Sequence, residues 1–132
     1  MKKILFAASE AVPFMKTGGL ADVTGSLPKY FDKKNYDVRV ILPKYVCMEE
    51  RWKGQLHFLC HFYVNLSWRK QYVGIFETTY DGITYYLVDN EFYFAGNAPY
   101  NNIYEDVEKF AFFSKAVLEA LPYLDFCPDI IH

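Results

Sequence analysis

Two apolar segments constrain this chain more than any other feature. "KKILFAA" (residues 2–8) is a short unbroken apolar run, the pattern of a strand buried on both faces of a parallel sheet. "YDVRVILP" (36–43) alternates and then runs apolar, a second strand. Between them, "GLADVTGSLPKYFDKKN" sets Leu20, Val23, Leu27 and Tyr30–Phe31 close to helical spacing, and Pro28 is expected to end or kink that helix. Parallel neighbours need a crossover, and a helix is the usual one. Strand, loop, helix and strand within about forty residues therefore open a doubly wound α/β fold.

Downstream, residues 44–54 read as loop or short helix. "LHFLCHFYVNL" (56–66), "QYVGIFETTY" (71–80) and "ITYYLVD" (83–89) are strand-like, and Asp81-Gly82 joins the last two as a hairpin. A loop rich in Asn, Gly and aromatics (90–103) precedes the clearest helix, "YEDVEKFAFFSKAVLEALPYL" (104–124), whose acids open it at the positive end of the dipole. "PDIIH" (128–132) starts a further strand. The expected fold is α/β, a mainly parallel sheet with a β-hairpin insertion.

Composition excludes several function classes. The 132 residues suit one domain, and 52% hydrophobic content is ample for a core. No apolar run approaches a membrane span. Met1-Lys2-Lys3 with "ILFAA" is too short for a signal peptide, and Glu10 interrupts the cleavage region, so a cytoplasmic location is expected. A net charge of −2 without a basic stripe argues against nucleic-acid binding. Cys47, Cys60 and Cys127 have no CxxC spacing and read as reduced, buried thiols. Strand alternation sets His57 and His61 on one face and Cys60 on the other with no fourth ligand near, so no metal site is expected. Aromatics reach 20%. A carbohydrate-stacking surface would use them, but their strand-like alternation favours ordinary core.

Chemistry concentrates in "MKTGGLADV" (15–23), where the first strand gives way to the first helix. In a doubly wound sheet, ligands bind beyond the carboxyl ends of the strands. Glycines let backbone approach a ligand, a helix N-terminus offers free N–H groups, and Lys16 adds a full positive charge. Together they make a seat for phosphate or a similar anion. Walker A is excluded because Lys16 precedes the glycines, and G-x-G-x-x-G is absent. By pattern alone, a second reading stands beside the first: a tight turn packing strand against helix.

The longer stretch "SEAVPFMKTGGLADVTGSLPKYF" (9–31) resembles the N-terminal signature of bacterial glycogen synthases and plant starch synthases. "YDVRVILPKY", "YYLVDNEFYF", "APYNN" and "PDIIH" follow in the family's order, so the resemblance covers the chain. It implies the N-terminal, acceptor-side, Rossmann-like part of a two-domain GT-B glycosyltransferase over residues 1–132, the C-terminal nucleotide-binding domain being absent. It further implies glucose transfer from ADP-glucose to the non-reducing end of an α-1,4-glucan, with retention and with no metal or cofactor.

Residue by residue, the resemblance makes Lys16 the donor-binding lysine and Gly18 and Gly19 the glycines whose backbone lies against the donor. It sets Asp22 beside the cleft, Tyr100 near the donor, and Glu10 and His132 close to the cleft. Glu10 is expected to be structural or substrate-proximal. His132 matches the histidine of H-x-x-D-W, whose catalytic aspartate lies past residue 132, so no catalytic residue is assigned here and the stretch alone is expected to be inactive. Lys109-Phe110 departs from the family's usual arginine-phenylalanine. Two other readings compete: a UDP-glucose GT-B transferase, and a non-catalytic glucan-binding module, which an exposed flat aromatic platform would mark.

Overall fold

A computed structural model describes all residues, 1–132. Six strands form one sheet: β1 (Lys2–Ala7), β2 (Tyr36–Pro43), β3 (His57–Leu66), β4 (Arg69–Tyr80), β5 (Ile83–Asp89) and β6 (Ile130–Ile131). Their order is β3-β4-β5-β2-β1-β6. β1 pairs in parallel with β2 and β6, and β2 in parallel with β5, while β3, β4 and β5 form an antiparallel meander. The fold is Rossmann-like α/β, and the insertion is two hairpins rather than one. The β4–β5 turn sits at Asp81-Gly82, both with positive φ, as a two-residue hairpin demands. The β3–β4 turn sits at Ser67-Trp68, where Ser67 takes φ 60°.

Helix α1 (Gly19–Ser26) stops where Pro28 removes a backbone donor, and a 3-10 turn follows at Leu27–Tyr30. Helix α2 (Glu50–Lys53) is one turn within the 44–54 connection. Helix α3 (Ile103–Ala120) is capped by Asn102, whose side chain accepts from Glu105 N at 3.0 Å. Two apolar layers sandwich the sheet. On one face α3 packs Phe112, Phe113, Ala116 and Val117 against Leu5, Ile41, Val73 and Val88. On the other, Ala11 and Phe14 of the loop after β1 cover Phe6, Val40, Leu42 and Leu87. The loop after β1 thus runs to one face and the loop after β5 to the opposite one. In doubly wound sheets, ligands bind outside the carboxyl ends of the strands where such connections diverge.

Two expectations change. A bulge at Leu59 shifts the register, so His57 pairs with Glu77 and Cys60 with Ile75, whereas His61 pairs with Gly74. His57 therefore shares a face with Cys60 and not with His61, because a bulge inverts the alternation beyond it. No three His, Cys, Asp or Glu side chains converge. Cys127 is exposed and Cys47 and Cys60 are only half-buried, where three buried thiols were expected. His132 extends an edge strand whose Ile130 and Ile131 are exposed, although its backbone still bonds Leu5 and Ala7. Most rings are at least partly buried, and an exposed cluster of Phe58, His61 and Tyr63 remains on the outer face of β3.

Candidate functional site

The loop from Ala8 to Gly18 lies at the carboxyl end of β1 and leads into α1, the usual ligand-binding position of such a sheet. Its conformation is set from beneath. Glu10, only 2% exposed, accepts from Thr17 N at 3.1 Å and from Thr17 Oγ1 at 2.5 Å. A buried carboxylate needs such donors, and here both come from the residue between Lys16 and Gly18. Glu10 is therefore a strut under the loop rather than a solvated side chain.

Lys16 Nζ donates to Asp22 Oδ1 at 2.9 Å, and both side chains are about half exposed (53% and 54%). An exposed pair of this kind contributes at most about 1 kcal/mol, so an anion can draw the ammonium away at little cost. Gly18 and Gly19 are open. A methyl group built on either meets no atom within 4 Å, and Gly18 has extended backbone (φ −165°) that any residue adopts. The tight-turn reading fails on both counts: neither crowding nor positive φ requires glycine here. Gly18 is also the N-cap of α1 and offers no side chain to its free N–H groups.

The chain does demand glycine at Gly25. A methyl there would lie 2.3 Å from Val12 Cγ2 and 2.8 Å from Val12 O, because α1 rests directly on the loop before it. Val12 N donates to Ala21 O at 3.1 Å across the same contact.

A second loop reaches the site from β5. The Tyr100 hydroxyl and Ser9 Oγ share a 2.5 Å hydrogen bond, and the Ser9 carbonyl accepts from the Tyr45 hydroxyl at 2.6 Å. Burial pushes the Tyr100 hydroxyl up from its ordinary value, with Ser9 opposing and the Glu10 charge adding to the rise. Burial raises Tyr45 further. Both phenols stay protonated at neutral pH. Lys109, 3% exposed, anchors this second loop through the Pro99 carbonyl and the Asn101 side chain.

Lys16, Asp22, Gly18 and Gly19 thus gather at one edge, with Tyr100 tied to Ser9 on the neighbouring loop. His132 packs edge-on to Phe6 at 5.2 Å on the far side of β1. Ser9, Thr17, Tyr45 and Lys109 were not assigned as site residues. Thr17 had a signal in its place inside the Lys-Thr-Gly-Gly run, and Lys109 in its departure from the family's arginine; Ser9 and Tyr45 had none.

A mainly parallel sheet with helices joining its strands, and a glycine-flanked helix start at the carboxyl end of its first strand, places the chain in the Rossmann-like α/β class. The comparisons with known proteins are specific. Residues 3–132 match the starch synthase catalytic domain. The whole chain is 67% identical to a glycogen synthase of Lachnoclostridium phytofermentans and 63% identical to one of Lachnospira eligens, covering 28% of each. The catalytic domain of starch synthase IV from Arabidopsis thaliana, solved bound to ADP and acarbose, superposes with a TM-score of 0.83 at 28% identity. That match covers 99% of this chain and 27% of the other.

The chain belongs to the starch synthase catalytic domain family. It spans about 28% of the length of the curated relatives it matches.

Proposed function

We propose that this chain is the N-terminal, acceptor-side part of a glycogen synthase. The full-length enzyme transfers glucose from ADP-glucose to the non-reducing end of an α-1,4-glucan with retention. A separate C-terminal domain supplies the opposite wall of the cleft and most of the nucleotide contacts. One observation carries the reading: Lys16 is paired through an exposed contact with Asp22 in the first turn of α1, and the helix starts at two glycines with open space over them at the carboxyl end of β1.

The chemistry follows from charge. When the glycosidic bond to the donor breaks, negative charge grows on the departing diphosphate. The N–H groups at the start of α1 are fixed dipoles aimed at that charge, and they need no reorganisation as it develops. Lys16 leaves Asp22 to add a charge-assisted contact that strengthens in the transition state. Gly18 and Gly19, lacking side chains, let the phosphate oxygens come within reach of the backbone. Glu10 keeps Thr17, and with it this geometry, in place. Tyr100, protonated and tied to Ser9, forms the adjoining wall. Asp22, freed from its partner, becomes available to a sugar hydroxyl.

The test is Lys16→Gln in the full-length enzyme. A charge-assisted hydrogen bond is worth about 1.5–3 kcal/mol, so kcat/KM for ADP-glucose should fall roughly ten- to hundredfold. The thermal midpoint should not move, since the Lys16–Asp22 pair is exposed. An unchanged kcat/KM would rule out the electrostatic role. Competition between ADP-glucose and UDP-glucose in the same assay fixes the nucleotide.

A further inference from the structure

Lys109 is a cation on the second residue-turn of α3 with almost no access to water, being 3% exposed. A buried ammonium is retained only where oxygens satisfy its three N–H groups. The oxygens here have one feature in common. Nζ donates to the Pro99 carbonyl at 2.8 Å and to Asn101 Oδ1 at 2.6 Å, and lies 3.5 Å from Asp106 Oδ1, one turn back on the same helix. Asp106 in turn accepts from Asn101 N, at 3.1 Å to each carboxylate oxygen. The Pro99 carbonyl belongs to the peptide before Tyr100, and Asn101 N to the peptide after it. Both peptides flanking Tyr100 are therefore gripped by one Lys–Asp pair.

The Tyr100 ring lies against Phe110, the residue after Lys109, with centroids 5.9 Å apart. From there its hydroxyl meets Ser9 Oγ at 2.5 Å. We infer that Lys109 is the positioning residue for Tyr100: with Asp106 it draws both flanking peptides onto α3 and so delivers the phenol to the donor loop.

The alternative, that Lys109 merely stabilises α3, would leave the flanking peptides free of it. The inference rests on the reading of Tyr100 as a wall of the donor site, and the experiment separates the two. In the full-length enzyme, Lys109→Met keeps the apolar stem and removes the ammonium. Donor KM should rise roughly tenfold, the size expected for losing one charge-assisted network, while glucan KM stays unchanged. Tyr100→Ala should raise donor KM similarly, and the double variant should be no worse than the poorer single one, because both changes remove the same contact. Lys109→Arg keeps the charge and should recover part of the loss.

A Lys109→Met enzyme with wild-type donor KM beside an impaired Tyr100→Ala enzyme would overturn the positioning role. Multiplying effects in the double variant would do the same. Wild-type donor KM in Tyr100→Ala would instead overturn the donor-site reading of Tyr100, and the inference with it. Should Lys109→Met fail to fold, Asn101→Ala removes one partner of the ammonium from an exposed loop position. It should raise donor KM about two- to fivefold, the size expected for one hydrogen bond, and no change would refute the inference.

Discussion

Gly19 and Gly25 occupy the same helix, and they are glycine for different reasons. At Gly25 the chain's own atoms forbid a side chain, since Val12 fills the space a methyl would need. At Gly19, as at Gly18, the space is empty and the backbone is ordinary. Gly25 is therefore explained by folding alone. Gly18 and Gly19 are not: they carry the conformational-entropy cost of glycine without any packing return. A helix start that would tolerate a side chain, in a sequence that omits one, is what the proposed donor site requires.

The comparison can be broken at several points. The largest stability effect should come from Gly25→Ala. Better helix propensity offers at most about 1 kcal/mol, while forcing a methyl against the Val12 carbonyl costs more, for a net loss of about 1–3 kcal/mol in denaturant unfolding. A neutral result would show that α1 can lift off the loop, and the contrast with Gly19 would collapse. The smallest effect lies away from the site. The Arg69 guanidinium, followed by the Tyr93 hydroxyl, holds the Glu108 carboxyl below its ordinary value of 4.5. A carboxylate with a depressed folded-state pKa contributes stability above that ordinary value and loses it as pH falls through the folded one. Glu108→Gln should thus flatten the acid limb of the stability curve slightly while leaving donor kinetics alone, and an altered donor KM would extend the site beyond the edge described here.

Much of this was legible locally. The turn residues Asp81 and Gly82, the stop at Pro28 and the bounds of β2 follow from backbone rules that act over a few residues. What could not be read was non-local or register-dependent. The break between β3 and β4 was placed at 67–70, but with only Ser67 as a turn former its tight two-residue form at Ser67-Trp68 was not marked. The single extra residue at Leu59 inverted the facing of His57, and no period-2 pattern reveals a bulge. The lysine and glycines of the site announced themselves by type and position. Their supports did not, because Ser9 meets Tyr100, and Glu10 meets Thr17, only once the sheet and its loops are in place. For Glu10 a structural role was expected, but its donor, Thr17, was not.

The most direct test of the central claim is Gly19→Ala in the full-length enzyme, with unfolding free energy and donor kinetics measured on the same preparation. A methyl at the first position of α1 meets nothing in this chain, and alanine is the better helix former, so stability should hold or rise by about 0.4–1 kcal/mol. The same methyl would stand between the donor phosphates and the helix N–H groups, so kcat/KM for ADP-glucose should fall at least tenfold, the loss of about 1.4 kcal/mol of transition-state contact. An enzyme made no less stable and catalytically crippled is the predicted result. Full activity in that variant would contradict the account, because it would leave the open space above Gly18 and Gly19 without an occupant.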